Sequence, residues 1–334
     1  MTRPARRGPT PVRERAFHEK LARTLPAGRT GLLPIGDDAT ALKPPPGRVA
    51  VVSTDTLVEG THFLPDSPPE RVGGAATAVS LSDVAAKGAA PDAILLALVL
   101  PVGTPAAWAE AVVRGAERFG ARFGAHVVGG DTKPGPIRAV VSTVLGWGRE
   151  AHLAPRTGAR PGDLLVTTGT VGRGGVAAAR LAAAGPTDRR AIVELLDVRP
   201  RVREGIALAP LSHALIDTSD GLAEAARLLA RASGVSIRID EDRLPWAPGL
   251  RALAGSGARR REVGFYGGDY ELLAAIPARA WPAASRAVRQ VRGRLTRIGV
   301  VGRGRGAWLY SGRRRSPMPS PGWQPFGPER ALDR

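Results

Sequence analysis

The chain has 334 residues, enough for two domains and a sizeable core, and its 43% hydrophobic content is that of an ordinary globular protein. It contains no cysteine, which excludes disulfides, thiolate metal sites and cysteine nucleophiles. The formal net charge of +18 is almost all arginine spread through an Ala/Gly/Pro-rich chain, and the runs at 259–261 and 313–315 lack interleaved aromatics, so nucleic acid is not expected as a partner.

Residues 1–15 (MTRPARRGPTPVRER) are basic, have no apolar run and read as a flexible arm, not a signal peptide. Residues 14–25 predict a short helix. The longest apolar run, 93–102, is too short to span a bilayer, so a cytoplasmic enzyme or binding protein is expected. Strands are predicted at 49–54 and 94–100 with a helix at 71–86 between them. An amphipathic helix at 106–123 and strands at 125–128 and 139–147 follow. This β-α-β-α-β-β order predicts an α+β layer with helices on one face of a sheet.

The turn formers of RTGARPGD (156–163) mark a boundary, so residues 16–150 and 151–334 are expected to form two domains. In the second half, strands are predicted at 164–168, 235–239, 272–276 and 298–301, and helices at 171–184, 188–196 and 220–232. The segment SGRRRSPMPSPGWQPFGPER is too rich in Pro and Gly for regular structure, with Trp323 and Phe326 as candidate anchors.

Aspartates recur in six short loops: PIGDDAT, STDT, SLSDVAAKGA, VVGGDTKPG, LIDTSDGL and YGGDYELL. A single Asp at a strand end is ordinarily a turn residue or helix N-cap, a role that suits Asp83 and Asp220. Six such loops exceed what turns require, and converging carboxylates are stable together only with a cation between them. Oxygen donors without Cys, and His62 as the one nearby imidazole, favour a hard ion such as Mg²⁺, which commonly arrives with a phosphate. Gly129-Gly130, the 172–175 turn and Gly267-Gly268 would offer backbone N–H groups to that phosphate. In VVSTDTLVEGTHF, a strand is expected to end in Ser53, Thr54 and Asp55, presenting oxygens to the metal.

IGDDAT, STDTLVEGTHF, SLSDVAAKGAAPD, VVGGDT, RTGARPGDLLVTTGTVGRGG, IDTSDGL and GGDYELL also stand in the order and approximate spacing of a known family. Over residues 35–326 the chain resembles the thiamine-monophosphate kinases, whose superfamily includes aminoimidazole ribonucleotide synthetase and selenophosphate synthetase. The resemblance implies a two-domain α/β (α+β) PurM-like fold. The N-terminal sheet would pair with its copy in a homodimer. It implies direct transfer of the ATP γ-phosphate to thiamine monophosphate, assisted by several Mg²⁺ ions and needing no nucleophilic side chain.

Carried over motif by motif, Asp38, Ser53, Thr54, Asp55, Asp83, Asp131, Asp217 and Asp220 would bind Mg²⁺. Gly130, Asp131, Arg156 and Ser219 would contact ATP, and His62, Gly268 and Trp323 the thiamine monophosphate. The chain departs from the family in places. The usual GGEDYEL is one residue shorter here, removing a substrate-contacting Glu and leaving Gly268 nearest its place, and Ser80 and Lys87 stand where Asn and Met are common. Lys133 stands where Arg is common and keeps the charge. Another ATP-using member of the superfamily and a non-catalytic nucleotide-binding homologue remain alternatives. The missing cysteine sets the chain apart from selenophosphate synthetase, and TDTLVEGTHF from aminoimidazole ribonucleotide synthetase.

Overall fold

The computed structural model describes residues 10–25, 32–33, 35, 37–255 and 257–319. After α1 (Glu14–Thr24), the first half runs β1 (Val49–Val58), α2 (Pro69–Ala86), β2 (Ala90–Leu100), α3 (Ala106–Ala121), β3 (His126–Pro134) and β4 (Ala139–Gly148). Its sheet has the order β1-β4-β2-β3, with β4 antiparallel to both β1 and β2, and β3 parallel to β2. Helices α2 and α3 cover one face of it, as the element order predicts. The other face is open: Val52 and Leu95 are 58% and 40% exposed.

Helix α2 starts on Pro69, whose missing N–H costs nothing in a first turn. Most of its residues are buried and apolar or small on every side, the signature of a helix enclosed by other elements. It lies between the first sheet, α3 and the second half of the chain. Contact with α3 is backbone to backbone. A Cβ on Gly73 would sit 1.9 Å from the Val112 carbonyl oxygen, and one on Gly115 would sit 2.1 Å from that of Glu70.

The second half contains β5 (Leu164–Thr168), α4 (Arg173–Ala184), α5 (Arg189–Leu195), α6 (Val202–Leu208), β6 (Ala214–Asp217), α7 (Leu222–Ser233) and β7 (Ser236–Asp240). It continues with α8 (Leu250–Ala254), α9 (Ala258–Gly264), β8 (Leu272–Ile276), α10 (Trp281–Gln290), β9 (Leu295–Gly302), β10 (Gly306–Ser311) and β11 (Arg314–Pro317). These strands form a mixed sheet, β11-β10-β7-β9-β5-β8-β6. Core clusters lie on both its faces, one around α7 and one around α10. Glu271 knits this half together. It is buried and takes a bidentate pair from Arg201 at 2.5 and 2.6 Å and a bond from the Thr168 hydroxyl at 2.7 Å.

Several expectations change. Strand β1 runs on to Val58, so Ser53, Thr54 and Asp55 lie inside a strand and not at its end. Alternation then splits them, with Ser53 and Asp55 on the helix-covered face and Thr54 on the open one. Asp83 is no N-cap; it sits near the end of α2, and the N-cap position of α7 belongs to Gly221, not Asp220. Thr10 and Val12, expected in the flexible arm, pair with Ala106 and Thr104. Residues 314–317, expected to be irregular, form the edge strand β11, where Pro317 at the end removes no interior ladder bond. The short β6 and the helices α6, α8, α9 and α10 have no counterpart in the predicted pattern. Phe326 and Trp323 lie outside the described residues. Among the described residues no helix is long and apolar enough to cross a membrane.

Replacing Gly115 by Ala drives a methyl group into the backbone of α2, where no side chain can yield. It should lower the unfolding free energy by about 1–3 kcal/mol, read from the urea midpoint.

Candidate active site

Three elements from distant parts of the chain meet where α2 passes between the halves. Strand β1 brings Ser53 and Asp55, the last turns of α2 bring Ser80, Ser82 and Asp83, and the end of β6 brings Asp217, followed by Ser219 and Asp220. Ser53 Oγ donates to Asp83 at 2.5 Å. Ser82 Oγ donates to Asp217 at 2.8 Å, which ties the first half to the second, and Ser219 Oγ donates to Asp217 at 3.2 Å. Ser80 Oγ bonds the Ser142 carbonyl at 2.8 Å and steadies β4 behind Asp55.

The carboxyl groups disfavour one another's charge. Burial first, then the charge of Asp83, raises the pKa of Asp217 to about 7 against the hydroxyls of Ser82 and Ser219. Burial, then Asp83 and Asp220, raise that of Asp55, with Ser80 opposing. Asp220 is exposed at the rim, yet desolvation, Glu224 and Asp83 still push its pKa up while Arg156 pulls it down. An acid whose pKa is raised on folding holds its proton longer in the native state. Through Asp217, the metal-free fold therefore loses stability as pH rises from about 3.8 towards about 7.

Buried carboxylates elsewhere in the described residues are differently placed. Glu117 has His126 and the Val127 N–H, and Asp163 has His213 and the Arg160 N–H. Glu241 has Arg261, Asp269 has the N–H groups of Gly172 and Gly174, and Glu271 has Arg201. Asp217 alone among them has neither a cation nor a backbone N–H, only two neutral hydroxyls. Asp55 Oδ2 is likewise buried and has no hydrogen-bond partner. A buried charge is normally paired. Hydroxyl and carboxylate oxygens with unused lone pairs suit a hard cation, so the donor set fits Mg²⁺ in kind. Among the described residues no three acidic or imidazole groups already form a cation cage.

Other expected residues fall elsewhere. Asp38 is exposed, its own N–H bonded to Asp37 at 2.8 Å. Asp131, on the edge strand β3, pairs with Lys133 at 2.9 Å, which holds its carboxyl below the usual range. Gly130 beside it is required by the close β2–β3 approach, since a Cβ there would lie 1.8 Å from the Leu96 carbonyl oxygen. The Thr54 hydroxyl accepts from Thr143 at 2.9 Å on the open face. The ring of His62 is half-buried, with Nδ1 accepting from the Val58 N–H at 3.1 Å, and burial lowers its pKa. Arg156 is exposed at the rim, near enough to Asp220 and Lys87 to influence both.

The glycine turns are not free phosphate cradles. The N–H groups of Gly172 and Gly174 bond Asp269, which caps α4, and the Gly268 N–H bonds the Ser219 carbonyl at 2.7 Å. Sequence reasoning passed over Ser82 and Tyr270 at the junction and named Lys87 only as a departure from the family, without a place for its ammonium. Lys87 Nζ donates to the carbonyls of Ala154 at 3.2 Å and Leu215 at 3.0 Å, and burial lowers its pKa to about 8. Ser82 was detectable, being two residues from Ser80 and adjacent to Asp83 in a helix expected to be buried.

The AIR synthase related protein N-terminal domain matches residues 36–148, and the C-terminal domain of the same name matches residues 160–309. The chain is 36% identical to the thiamine-monophosphate kinase of Salmonella typhimurium strain LT2 over 80% of this chain and 83% of that one. The crystal structure of the Stenotrophomonas maltophilia K279a enzyme of that name superposes with a TM-score of 0.77 at 33% identity, covering 88% of this chain and 93% of that one. The Aquifex aeolicus enzyme, solved in complex with AMPPCP and TMP, superposes with a TM-score of 0.69 at 29% identity, covering 84% of this chain and 90% of that one. The chain belongs to the thiamine-monophosphate kinase family of the AIR synthase related proteins.

Proposed function

We propose that this chain transfers the γ-phosphate of ATP to thiamine monophosphate, giving thiamine diphosphate and ADP, at the junction of its halves. The observation that carries this reading is the buried Asp217, held only by hydroxyls, beside Asp55, Asp83 and Asp220. Family membership supplies the substrate pair. Ser53, Asp55, Asp83, Asp217 and Asp220 would hold Mg²⁺, with Thr54 limited to its backbone carbonyl because its side chain faces away. Bound magnesium supplies charge neutralisation between the phosphates of donor and acceptor.

The chain's own residues then bind and orient. Arg156 at the rim bonds the nucleotide phosphates by charge-assisted contacts, together with Ser219. His62, kept neutral by its burial and with Nδ1 occupied as an acceptor, presents a neutral imidazole towards thiamine monophosphate. Gly268, whose N–H bonds the Ser219 carbonyl, and Trp323, outside the described residues, would also contact thiamine monophosphate. Asp131 and Gly130, on β3 at the opposite edge of the sheet from β1, stand apart from Asp55 in the single chain, so their contribution requires a rearrangement or a second copy. Asp38 would act from its exposed loop. We further propose a cytoplasmic homodimer in which two open sheet faces pack together through Val52 and Leu95.

Asp55→Asn should lower thiamine diphosphate formation by about 100-fold or more, in an assay with ATP, Mg²⁺ and thiamine monophosphate, with the circular dichroism melt unchanged. Wild-type turnover in that variant would remove Asp55 from the site.

Divalent cations bind the ionised carboxylate, and Asp217 titrates near 7 in the metal-free protein. Binding of Mg²⁺ with nucleotide should therefore release protons at about pH 6, and its affinity should climb as pH rises towards about 8 and then level off. Calorimetry in buffers of different ionisation enthalpy measures both effects.

The double substitution Val52→Arg/Leu95→Arg should turn the dimer into a folded monomer by sedimentation velocity. Unchanged mass would place the subunit contact elsewhere.

A further inference from the structure

Tyr270 stands at the junction in a way that neither its motif nor the metal reading explains. Its backbone is left-handed at φ 54, shared among the described non-glycine residues only with Arg292 at φ 62. Such a conformation is unfavourable for a residue with a side chain and persists where the surroundings impose it. Here both neighbours impose it. The carboxylate of Asp269 is fixed by the N–H groups of Gly172 at 2.8 Å and Gly174 at 3.0 Å. Glu271 is fixed by Arg201, by the Thr168 hydroxyl, and by Thr218, whose hydroxyl accepts from the Glu271 N–H at 3.0 Å and whose N–H donates to the Glu271 carbonyl at 2.8 Å. The residue held between them packs against the core cluster that joins the first half to residues 192–202 of the second, and its neighbours Gly268 and Glu271 are bonded to Ser219 and Thr218.

That placement puts a phenol among acids. Burial first, then Asp217, Asp55, Asp220 and Asp83, raise the pKa of Tyr270 above its ordinary value, so the hydroxyl stays protonated wherever the enzyme works. Most other groups at the cluster are carboxylates that accept hydrogen bonds, and the serine hydroxyls already donate to carboxylates or a carbonyl. A neutral donor has a particular use there. It can hold a phosphate oxygen without adding a positive charge that would compete with cations for the carboxylates.

We infer that Tyr270 is a further ligand-binding residue of the junction, its O–H donating a hydrogen bond to an oxygen of the terminal phosphate of the bound nucleotide. This rests on the ATP reading above. The left-handed backbone, which a relaxed loop would not keep, is what holds the side chain at the junction.

Tyr270→Phe keeps the ring and removes only the hydroxyl. In the full-length protein it should leave the melting temperature and the KM for thiamine monophosphate unmoved, lower kcat/KM for ATP by about 10–100-fold, and weaken binding of AMPPCP with Mg²⁺ by about 10-fold in calorimetry. Wild-type kcat/KM for ATP together with wild-type analogue affinity in the variant would overturn the inference and reduce Tyr270 to a packing residue. If the wild-type chain forms no thiamine diphosphate, the substrate reading fails by itself, and the tyrosine is decided by the analogue alone: an affinity loss supports it and equal affinity overturns it. No analogue binding by either form overturns both.

Discussion

Mutual repulsion among carboxyl groups that the fold will not separate is the constraint on which the junction depends. Asp55, Asp83, Asp217 and Asp220 come from a strand of one sheet, the helix beneath it and the end of a strand in the other sheet. Burial raises the proton affinity of Asp55, Asp217 and Asp220, and the charge of Asp83 adds to it in all three, that of Asp220 in the first two. What holds them is a set of hydroxyls on short side chains: Ser53 to Asp83, and Ser82 and Ser219 to Asp217. Hydroxyls satisfy lone pairs without neutralising charge. The arrangement is therefore hydrogen-bonded but electrostatically incomplete, and a divalent cation completes it.

Helix α2 converts that local chemistry into architecture. Its glycine face allows α3 to approach backbone to backbone, its serine and aspartate face carries the junction, and its C-terminal Lys87 reaches the carbonyls of Ala154 and Leu215. The same ammonium suits the negative end of a helix dipole and stands two residues along β6 from Asp217. Because one rigid helix supplies partners to both halves, the spacing between Asp83 and Asp217 is set by packed backbone and not by loops.

Much of this was legible in the sequence, and the reasons for the failures are physical. The long apolar helix α2, the amphipathic α3, the alternating β4 and the apolar run at Leu164–Thr168 announced themselves, and so did the acidic loops and the family they belong to. Strand β6 was missed as an element because four buried residues carry no period of their own. Strand β11 was read as irregular because the Pro and Gly content of its segment outweighed its pairing with β10, a tertiary effect. Thr54 was grouped with Ser53 and Asp55 because nothing local showed that β1 continues to Val58, and continuation is what sends it to the other face. The left-handed turn at Tyr270 had no signal either, since tyrosine is not a residue that proposes such a backbone.

The acidic residues finally divide by what surrounds them, and motif membership does not predict the division. Asp269 and Glu271 share the GGDYELL motif, yet one caps a helix and the other closes a buried pair with Arg201, so both are spent on structure. Asp131 lies in an equally recognisable motif and is paired with Lys133 on an exposed edge. Asp217 shares the same kind of strand-end setting but receives only hydroxyls. A chain of this composition, with 48 Lys and Arg residues, has ample means to pair every acid. Lys87, at the end of α2, is near enough to Asp217 to feel its charge but donates to carbonyl oxygens, so the direct bonds to Asp217 come from hydroxyls alone. The withheld partner, more than the presence of aspartate, is what marks the junction as a place for a ligand.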